Sequence, residues 1–551
     1  MNKIADENYL DLIVDSSIVH EYGPPENITP LVPMLSLLQV DASGLDECAS
    51  GYPYHFFPAI LTLNAELSFD SGIDRVQENP NLALFGNGTL VGIIDTGIDY
   101  RHPAFLNRDG TSRIYSIWDQ TINEENTPPE GFFYGMEFNR NQINGALKSQ
   151  TPLEVVPSQD EIGHGTMLAG IVAGNDEKAG YQGVVPQAEL VIVKLKQAKK
   201  INRKFNFVPE DAICYQVNDI MSGVNYVVGL SKRIDRPIAL CISQGSSHAH
   251  DGKDLFARYL NNLCETSRLG IAVSAGNDAD KRRHYLGKVE SGQVAEFELR
   301  VGEADRLFAI EIWQSAPHRL VLEIVSPSGQ RFGNLYPQLN ECRRLNFLLE
   351  KSVVWVNNII TVTGTGDQLV LFRFQNPANG LWKFRVNTMD GEASVFNAWL
   401  PSGDVLSEET YFLDSDPEIT VTDPGNALYP LTVGNYNLET NSIVPSSGRG
   451  PTRVGGKKPD LAAPGYELSG PVPDGKYATA TGTGVSAAIA TGIMAMVLEW
   501  AVPRGNNTSI AGTEVSSLLV RGAVRTQDIE YPNTQWGYGA IDIYGLFEKL
   551  I

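Results

Sequence analysis

Four short apolar runs, separated by stretches of helical character, constrain most strongly what this chain can fold into. They are Leu90 to Ile94, Leu190 to Val193, Ile238 to Ile242 and Ile271 to Val273. Runs of this length without polar alternation predict strands buried on both faces, and helical connections between them imply a parallel sheet. Three of the runs are followed by polar or small residues, beginning at Asp95, Ser243 and Ser274. We therefore expect an α/β fold with a site at the carboxyl ends of its strands.

At 551 residues the chain is too long for one ordinary core. Two further regions differ from the α/β region in their pattern of apolar and polar residues. Residues 285–400 read as strands only, with turn signals such as Pro327-Ser-Gly between them, which predicts a β-sandwich. The α/β pattern returns afterwards, so we expect the sandwich to be an insertion. Residues 1–70 form a third unit with a strand-like segment at Tyr9 to Val14. The predicted domains are 1–70, a core in two parts at 71–284 and 401–551, and the insert at 285–400.

Charge and composition exclude several functions. The formal net charge of −22 disfavours nucleic acid and anionic membrane surfaces as partners. No run of about 18 apolar residues predicts a membrane span, and Met1 to Leu12 lack a signal-peptide pattern. We expect a protein made in the cytoplasm. Five scattered cysteines without metal-ligand spacing predict reduced thiols, no metal site and no cofactor.

Three segments carry residues typical of nucleophilic catalysis. They are Val91-Gly-Ile-Ile-Asp95-Thr-Gly, Gly163-His164-Gly165-Thr166 and Thr481-Gly-Thr-Gly484-Val-Ser486. An Asp, then a His, then a strand-to-helix junction near the C-terminus is the order of a subtilisin triad. Taken singly, Asp95 could be a helix N-cap and His164 a turn residue. The ordered set favours a site.

The chain resembles the subtilase family over about residues 85–285 and 400–551. Besides the three segments, Ser243-Gln244-Gly245 looks like the family's substrate-binding strand, and Ala275-Gly-Asn277 looks like the segment whose Asn donates to the oxyanion. Asn277 alone could equally be a turn residue. The resemblance implies a subtilisin-like parallel sheet with helices on both faces, an N-terminal α+β prodomain and an inserted, jelly-roll-like β-sandwich.

The departure from the family is Gly484, which stands where the resemblance places the nucleophilic Ser. Glycine has no oxygen to attack a carbonyl, so covalent acyl transfer has no nucleophile. Ser486 lies two residues further on, a rotation of about 200° along a helix, and is expected to face away from His164. Whether Gly484 is natural or an engineered replacement stays open, although Ala487 and Ala488, in place of the family's usual Thr-Pro, favour natural loss.

A narrower resemblance is to the Csp family of clostridial germination subtilases. It rests on Gly92 to Phe105, Ile117 to Ile122 and the insert segments Ile312-Trp313 and Val325 to Gly329. That family includes an active protease that processes a cortex-lytic zymogen and also pseudoproteases that take part in germinant sensing. The resemblance implies a pseudoprotease, CspA-like or CspC-like, located in the spore. Its partners would be other Csp-type subtilases, a protein or peptide ligand, or a small-molecule germinant.

Several alternatives remain at this stage. Asp95 and His164 could persist for stability or for binding a peptide without cutting it. The chain could instead be a serine endopeptidase whose nucleophile was replaced, or a chaperone-like partner of an active homologue. Without a nucleophile the prodomain should stay attached, with residues from about Ala65 to Asp74 along the substrate strands. The basic run Lys281 to His284 favours a solvated loop over an interaction patch.

Overall fold

The computed structural model describes residues 3–45, 51–63, 71–124, 128–338, 341–360, 362 and 365–550. Helices within these residues lie mainly in the predicted core. The α-helices are Ile73–Glu78, Arg140–Lys148, Pro152–Val155, His164–Ala173, Lys200–Asn206, Val217–Arg233, Leu255–Cys264, Thr483–Ala501, Gly512–Gly522 and Ile543–Glu548.

A nine-stranded sheet forms the centre of the core. In spatial order its strands are Ser442–Ile443, Leu431–Asn437, Leu269–Ser274, Ile238–Ile242, Leu90–Asp95, Glu189–Lys194, Ile114–Asp119 and Met136–Asn139, with Leu461–Pro464 also paired to Leu431–Asn437. The interior pairs are parallel, and the outermost pair at each end is antiparallel. The four predicted apolar runs lie in central strands of this sheet. The predicted α/β class, with a mainly parallel sheet, is confirmed.

The helix Thr483–Ala501 is the main packing partner of this sheet. Small residues let it approach closely: a Cβ added at Gly492 would lie 2.5 Å from Val184 Cβ. Among the described residues it is the one helix long and apolar enough to cross a membrane, but 94% of its most apolar window is buried inside the fold. It therefore occupies the position of a core helix.

The segment between the two parts of the core forms two antiparallel sheets. One contains His284–Val289, Ser394–Trp399, Leu307–Gln314, Gln368–Gln375, Ser352–Ile359 and Glu341–Phe347. The other contains Arg331–Leu335, Leu320–Val325, Gly380–Thr388, Ala295–Val301 and Tyr411–Phe412. Apolar side chains, including Phe297, Phe372 and Trp382, form a separate buried cluster here. The last strand lies beyond residue 400, and both the exact limits of this unit and its jelly-roll connectivity stay predictions.

Residues before the core form a small antiparallel sheet of Tyr9–Asp15, Ile28–Val32 and Leu35–Asp41. A fourth strand, Ile60–Leu63, leaves this sheet and pairs with strands of the core. Among the described residues before Ile73 the helical segments are short 3₁₀ turns. The N-terminal unit is thus joined to the core by backbone pairing.

The basic run at the junction of core and insert is not a solvated loop, as the sequence had suggested. Arg283 is buried, and its guanidinium donates to the carbonyl oxygens of Pro401 at 2.9 Å and Leu406 at 2.7 Å. His284 is also buried and stacks on the indole of Trp399. The charged side chain of Arg283 thus provides hydrogen bonds for carbonyl groups that would otherwise be buried unpaired where the insert rejoins the core.

The thiol prediction holds only in part. Cys214, Cys241 and Cys264 are buried free thiols, and burial raises the pKa of Cys214 to about 11. Cys342 is disulfide-bonded, contrary to the expectation of reduced thiols. Cys48 lies outside the described residues. A buried thiol with a raised pKa carries little thiolate at neutral pH and is a poor nucleophile.

A buried ion pair fastens the N-terminal unit to the core. Nζ of Lys199 lies 2.9 Å from Oδ1 of Asp11, and the two side chains are 2% and 0% exposed. The same ammonium donates to the carbonyl oxygens of Lys3 and Tyr9 at 3.0 and 3.2 Å. Burial raises the pKa of Asp11 and lowers that of Lys199, so each charge depends on the other.

We expect Lys199→Met to lower the free energy of unfolding by about 3–5 kcal/mol, because it leaves the Asp11 carboxylate buried without its counter-ion. Urea unfolding followed by tryptophan fluorescence measures this loss. The matched control is Lys383→Met, which breaks a surface pair with Glu298 and should leave the free energy of unfolding nearly unchanged, because exposed ion pairs are screened by solvent. Equal effects of the two changes would contradict the importance of the buried pair.

Candidate active site

The side chains of Asp95 and His164 meet at the carboxyl edge of the central sheet. Asp95 ends the strand Leu90–Asp95, and His164 begins the helix His164–Ala173. Nδ1 of His164 lies 2.6 Å from Oδ1 of Asp95. A carboxylate can only accept, so Nδ1 carries the shared proton and the other ring nitrogen, Nε2, is the one that can act as a base.

The second oxygen of Asp95 is held by the predicted substrate-binding segment. Oδ2 accepts from Ser243 Oγ at 2.8 Å and from Gln244 Nε2 at 2.6 Å. Asp95 is only 1% exposed. Burial opposes its ionisation, but His164 and the hydrogen bonds from Thr96 and Ser243 outweigh burial and hold the pKa of Asp95 below its usual value. The side chains of Ser243 and Gln244 therefore serve the carboxylate.

The backbone of Gln244–Gly245 pairs with a strand of the N-terminal unit. We call the space along this segment, where the family resemblance expects a substrate peptide, the groove. Leu63 is opposite Gln244, and Thr62 is opposite Gly245. On its other side the strand Ile60–Leu63 pairs with Tyr215–Gln216. The N-terminal unit thus supplies the middle strand of a three-stranded antiparallel sheet in this groove.

Residues from about Ala65 to Asp74 were expected along the substrate strands. Residues 64–70 lie outside the described residues, so for most of this segment the expectation stays a prediction. The described strand that pairs with Gln244–Gly245 is Ile60–Leu63. Ser71 instead accepts a hydrogen bond from the backbone of Ile543, and Gly72 approaches Asp542. The chain therefore reaches the C-terminal helix by residue 71.

Asn277 lies beside the start of the long core helix. Its Oδ1 accepts from the backbone N–H of Thr483 at 3.0 Å and from the Thr483 hydroxyl at 3.1 Å. The Thr483 hydroxyl is placed in turn by the N–H of Gly276 at 2.9 Å. With its oxygen engaged, the amide offers its NH₂ group as a donor, which is the group an oxyanion needs.

Gly484 is the second residue of the helix Thr483–Ala501 and is buried. Ser486 cannot replace the missing hydroxyl, because its Oγ donates towards the carbonyl oxygens of Ala463 at 3.1 Å and Pro464 at 3.3 Å. Its side chain thus faces the strand Leu461–Pro464, in keeping with the rotation expected along a helix. The structure places no hydroxyl on residue 484.

Asp160 was missed by the sequence reasoning. Its Oδ2 accepts from the N–H and the hydroxyl of Thr166 at 2.9 and 2.7 Å, and its Oδ1 accepts from Gly163 N–H at 2.8 Å. Oδ1 also accepts from the Thr96 hydroxyl at 2.7 Å. An Asp four residues before His164, at a helix start, was the available signal. Asp160 fixes the loop that presents His164 next to the strand carrying Asp95.

The site thus provides the imidazole of His164, oriented by Asp95, and the amide group of Asn277 as a donor. Gly484, at the position expected for the nucleophile, has no side chain that could attack a substrate. This combination of sheet, helix and side chains is the scaffold of a subtilisin-like serine protease. The chain belongs to the subtilase family, because the family model Peptidase_S8, described as "Subtilase family", matches residues 86–331 and 413–539. The gap between the two matched segments falls within the two antiparallel sheets, as expected for an insertion.

Comparison with known proteins supports the same class. The structure of the Clostridium perfringens CspB protease is 27% identical in sequence, with a TM-score of 0.77 over 87% of this chain and 96% of that chain. The C5a peptidase of Streptococcus pyogenes serotype M1 is 23% identical over 456 residues, 78% of this chain and 36% of the relative. An alkaline protease of Alkalihalobacillus alcalophilus is 32% identical over 185 residues, 33% of this chain and 36% of the relative. The chain spans about a third of the length of these curated relatives.

The lowered pKa of Asp95 generates a pH prediction. A carboxyl group whose pKa is lower in the folded state contributes stability above its unfolded pKa, and this contribution disappears as the pH falls through the folded pKa. We expect Asp95→Asn to cost about 2–4 kcal/mol of unfolding free energy at pH 7. The difference from the unmodified protein should shrink once the pH falls below the ordinary value of 3.8.

Urea unfolding at a series of pH values measures this difference. The control is Thr491→Val, which removes a buried neutral hydroxyl that donates to Ala487 O. Its effect should not vary with pH, since no charge is lost. A cost of Asp95→Asn that stays constant down to about pH 2.5 would show that the Asp95 charge adds nothing to stability.

Proposed function

We propose that this chain is a catalytically inactive subtilase, a pseudoprotease, that regulates proteolysis or senses signals in bacterial spore germination by binding a ligand or partner Csp-type subtilases. The observation that carries the proposal is Gly484 at the start of the core helix. In subtilisin, removal of the serine lowers kcat by about 2 × 10⁶ even when the histidine and aspartate remain. The retained pair of His164 and Asp95 therefore does not restore proteolysis.

The occupied groove supports a non-catalytic role. The strand Ile60–Leu63 takes the backbone pairing of Gln244–Gly245 that an extended peptide would need. A competent subtilase would release such a segment by cutting its own chain. Without that cut, the N-terminal unit stays covalently attached and competes with any peptide as an intramolecular ligand at high effective concentration.

The place of action in the spore and the link to germination follow from the likeness to the Csp family. Similarity to the CspB protease over 87% of this chain supports that likeness. Fold similarity alone does not assign function, and the named relative is itself described as a protease. The partners proposed here are therefore Csp-type subtilases, a protein or peptide, or a small-molecule germinant.

A second candidate function is a serine endopeptidase whose nucleophile was replaced and which would process a cortex-lytic zymogen. The observation that favours it is the intact geometry around the missing hydroxyl. His164 and Asp95 are 2.6 Å apart, and Asn277 is fixed by Thr483. Both candidate functions predict that the chain with Gly484 shows no proteolytic activity. A serine must therefore be restored at position 484 to distinguish them.

Intact mass of the purified chain tests the proposal. We expect one uncut species of 60.2 kDa for the unmodified protein. Gly484→Ser should separate into an N-terminal fragment and a core, because His164 and Asp95 can activate the new hydroxyl. Gly484→Ala and the double variant Gly484→Ser with His164→Ala are the matched controls and should stay uncut.

Each outcome has a definite meaning. Cleavage of the unmodified chain between residues 63 and 71, without added protease, would overturn the proposal and require another nucleophile. Cleavage of Gly484→Ser alone shows that catalysis was lost through this one position. An uncut Gly484→Ser variant shows that the rest of the site has also drifted, which strengthens the non-catalytic proposal and removes the second candidate.

A further inference from the structure

A small cleft lies where the N-terminal unit, the core and the insert meet. Its apolar wall combines Phe57 and Leu61 of the N-terminal unit, Phe256 of the core and Trp313 of the insert. Asp95, His164 and Gly484 are not part of its lining. The cleft is thus a composite site, separate from the residues of the degenerate triad.

Two carboxyl groups, those of Asp254 and Asp423, also line the cleft, and each has one oxygen that lacks a hydrogen-bond partner among the described residues. Asp423 is 6% exposed; its Oδ2 accepts from His250 N–H at 3.2 Å, and its Oδ1 is buried without a hydrogen-bond partner among the described residues. Asp254 caps the helix Leu255–Cys264 through Oδ1, which accepts from Phe256 N–H at 2.8 Å. Its Oδ2 is buried and lacks a hydrogen-bond partner in the same described residues. Such groups are rare in folded proteins and call for an explanation.

The cations near the cleft are already committed to other carboxylates. Arg453 lies 2.8 Å from both Asp251 and Asp367. His248 pairs with Glu311 at 3.1 Å. In the described part of the chain, no ion pair within 4.0 Å joins a Lys, Arg or His side-chain nitrogen to the carboxylate of Asp254 or Asp423.

The remaining basic groups do not neutralise the pair. Lys253 and Arg258 line the cleft, but both residues are exposed. Burial lowers the pKa of His250 to about 3, so this ring is neutral. The charge of His248 lowers the pKa of both carboxyl groups, and a hydrogen bond from Asn426 lowers that of Asp423, but burial outweighs these effects. The two acidic groups are thus only partly compensated, and they line a cleft with apolar residues around them.

The electrostatics of the pair favour a cation. Burial raises the pKa of Asp423 well above its usual value, and the charge of Asp254 raises it further. Burial also raises the pKa of Asp254. A positive ligand would replace the proton that the pair otherwise retains, because an opposite charge favours the ionised form.

We propose that this cleft binds a small organic amine, with its ammonium group on Asp254 and Asp423 and its apolar part against Phe57, Phe256 and Trp313. An ammonium offers three donors to the free carboxyl oxygens, and aromatic rings favour a nearby cation. A metal ion fits less well, since the described residues contain no group of three His, Cys, Asp or Glu side chains arranged to hold one. The site does not depend on the function proposed above.

Isothermal titration of the full chain with benzylammonium chloride tests the site. The neutral analogue, benzyl alcohol, has the same ring and nearly the same size. We expect benzylammonium to bind and benzyl alcohol to bind at least about tenfold more weakly, since a hydrogen bond to a charged partner is lost. Asp423→Asn and Asp254→Asn should each weaken benzylammonium binding by about tenfold or more.

The variants are chosen to keep the fold. Asn at position 254 retains an oxygen for the helix cap, so it tests the charge even if Asp423→Asn is unstable. Asp109→Asn, at an exposed carboxylate far along the sequence, should leave binding unchanged. Absence of binding at millimolar benzylammonium, equal binding of benzyl alcohol, or unchanged affinity in both cleft variants would each overturn the proposal.

Discussion

The buried carboxylate of Asp95 is the constraint on which the rest of the site depends. It lies at the end of a central strand, where His164, Ser243 and Gln244 all bind it. Loss of any partner would leave part of a buried charge unsatisfied, at a cost of about 1–3 kcal/mol or more. This gives a physical reason for the presence of Asp95 and His164 beside Gly484 that does not require catalysis: the pair stabilises this edge of the sheet.

Replacement of the nucleophile by glycine disturbs little around it. The helix Thr483–Ala501 already packs through small residues, and Thr483 still binds Asn277 and Gly276. Catalysis depends on a single oxygen at this position, whereas the helix depends on many contacts. The N-terminal unit is held independently of residue 484, by the pairing of Ile60–Leu63 with Gln244–Gly245 and by the buried pair of Asp11 and Lys199.

The sequence predicted the core well because its central strands are buried on both faces. Such strands read as unbroken apolar runs, and the four predicted runs all lie in strands of the sheet. Two other interior strands, Ile114–Asp119 and Leu431–Asn437, were not predicted. The insert was predicted only as a region of strands over residues 285–400, without each strand being resolved. Strands such as Arg331–Leu335 and Glu341–Phe347 mix polar and apolar residues and have no clear signal in the sequence. The order of Asp95, His164 and residue 484 located the candidate site.

Long-range contacts account for what the sequence could not show. The burial of Arg283 depends on carbonyl groups from residues more than a hundred positions away. The pairing of Thr62 and Leu63 with Gly245 and Gln244 was not predicted, because strand register depends on pairing with distant segments. Asp160 binds backbone N–H groups near His164 and the hydroxyls of Thr96 and Thr166, and these partners cannot be read from its position in the sequence.

The three units meet at Glu311, so a ligand bound near this residue would affect how the units dock on one another. Tyr54 of the N-terminal unit donates to Oε1 at 2.6 Å, His248 of the core lies 3.1 Å from the same oxygen, and Trp313 donates to Oε2 at 2.8 Å. Although burial alone would lower the pKa of His248, the charge of Glu311 raises it to about 9, so the pair is ionic at neutral pH. Trp313 and His248 also line the cleft with the two unpaired carboxyl groups. A ligand there would contact all three units, and its binding free energy would stabilise their docked arrangement over any other. Binding in the cleft and docking of the three units are thus linked through the same side chains, Trp313 and His248.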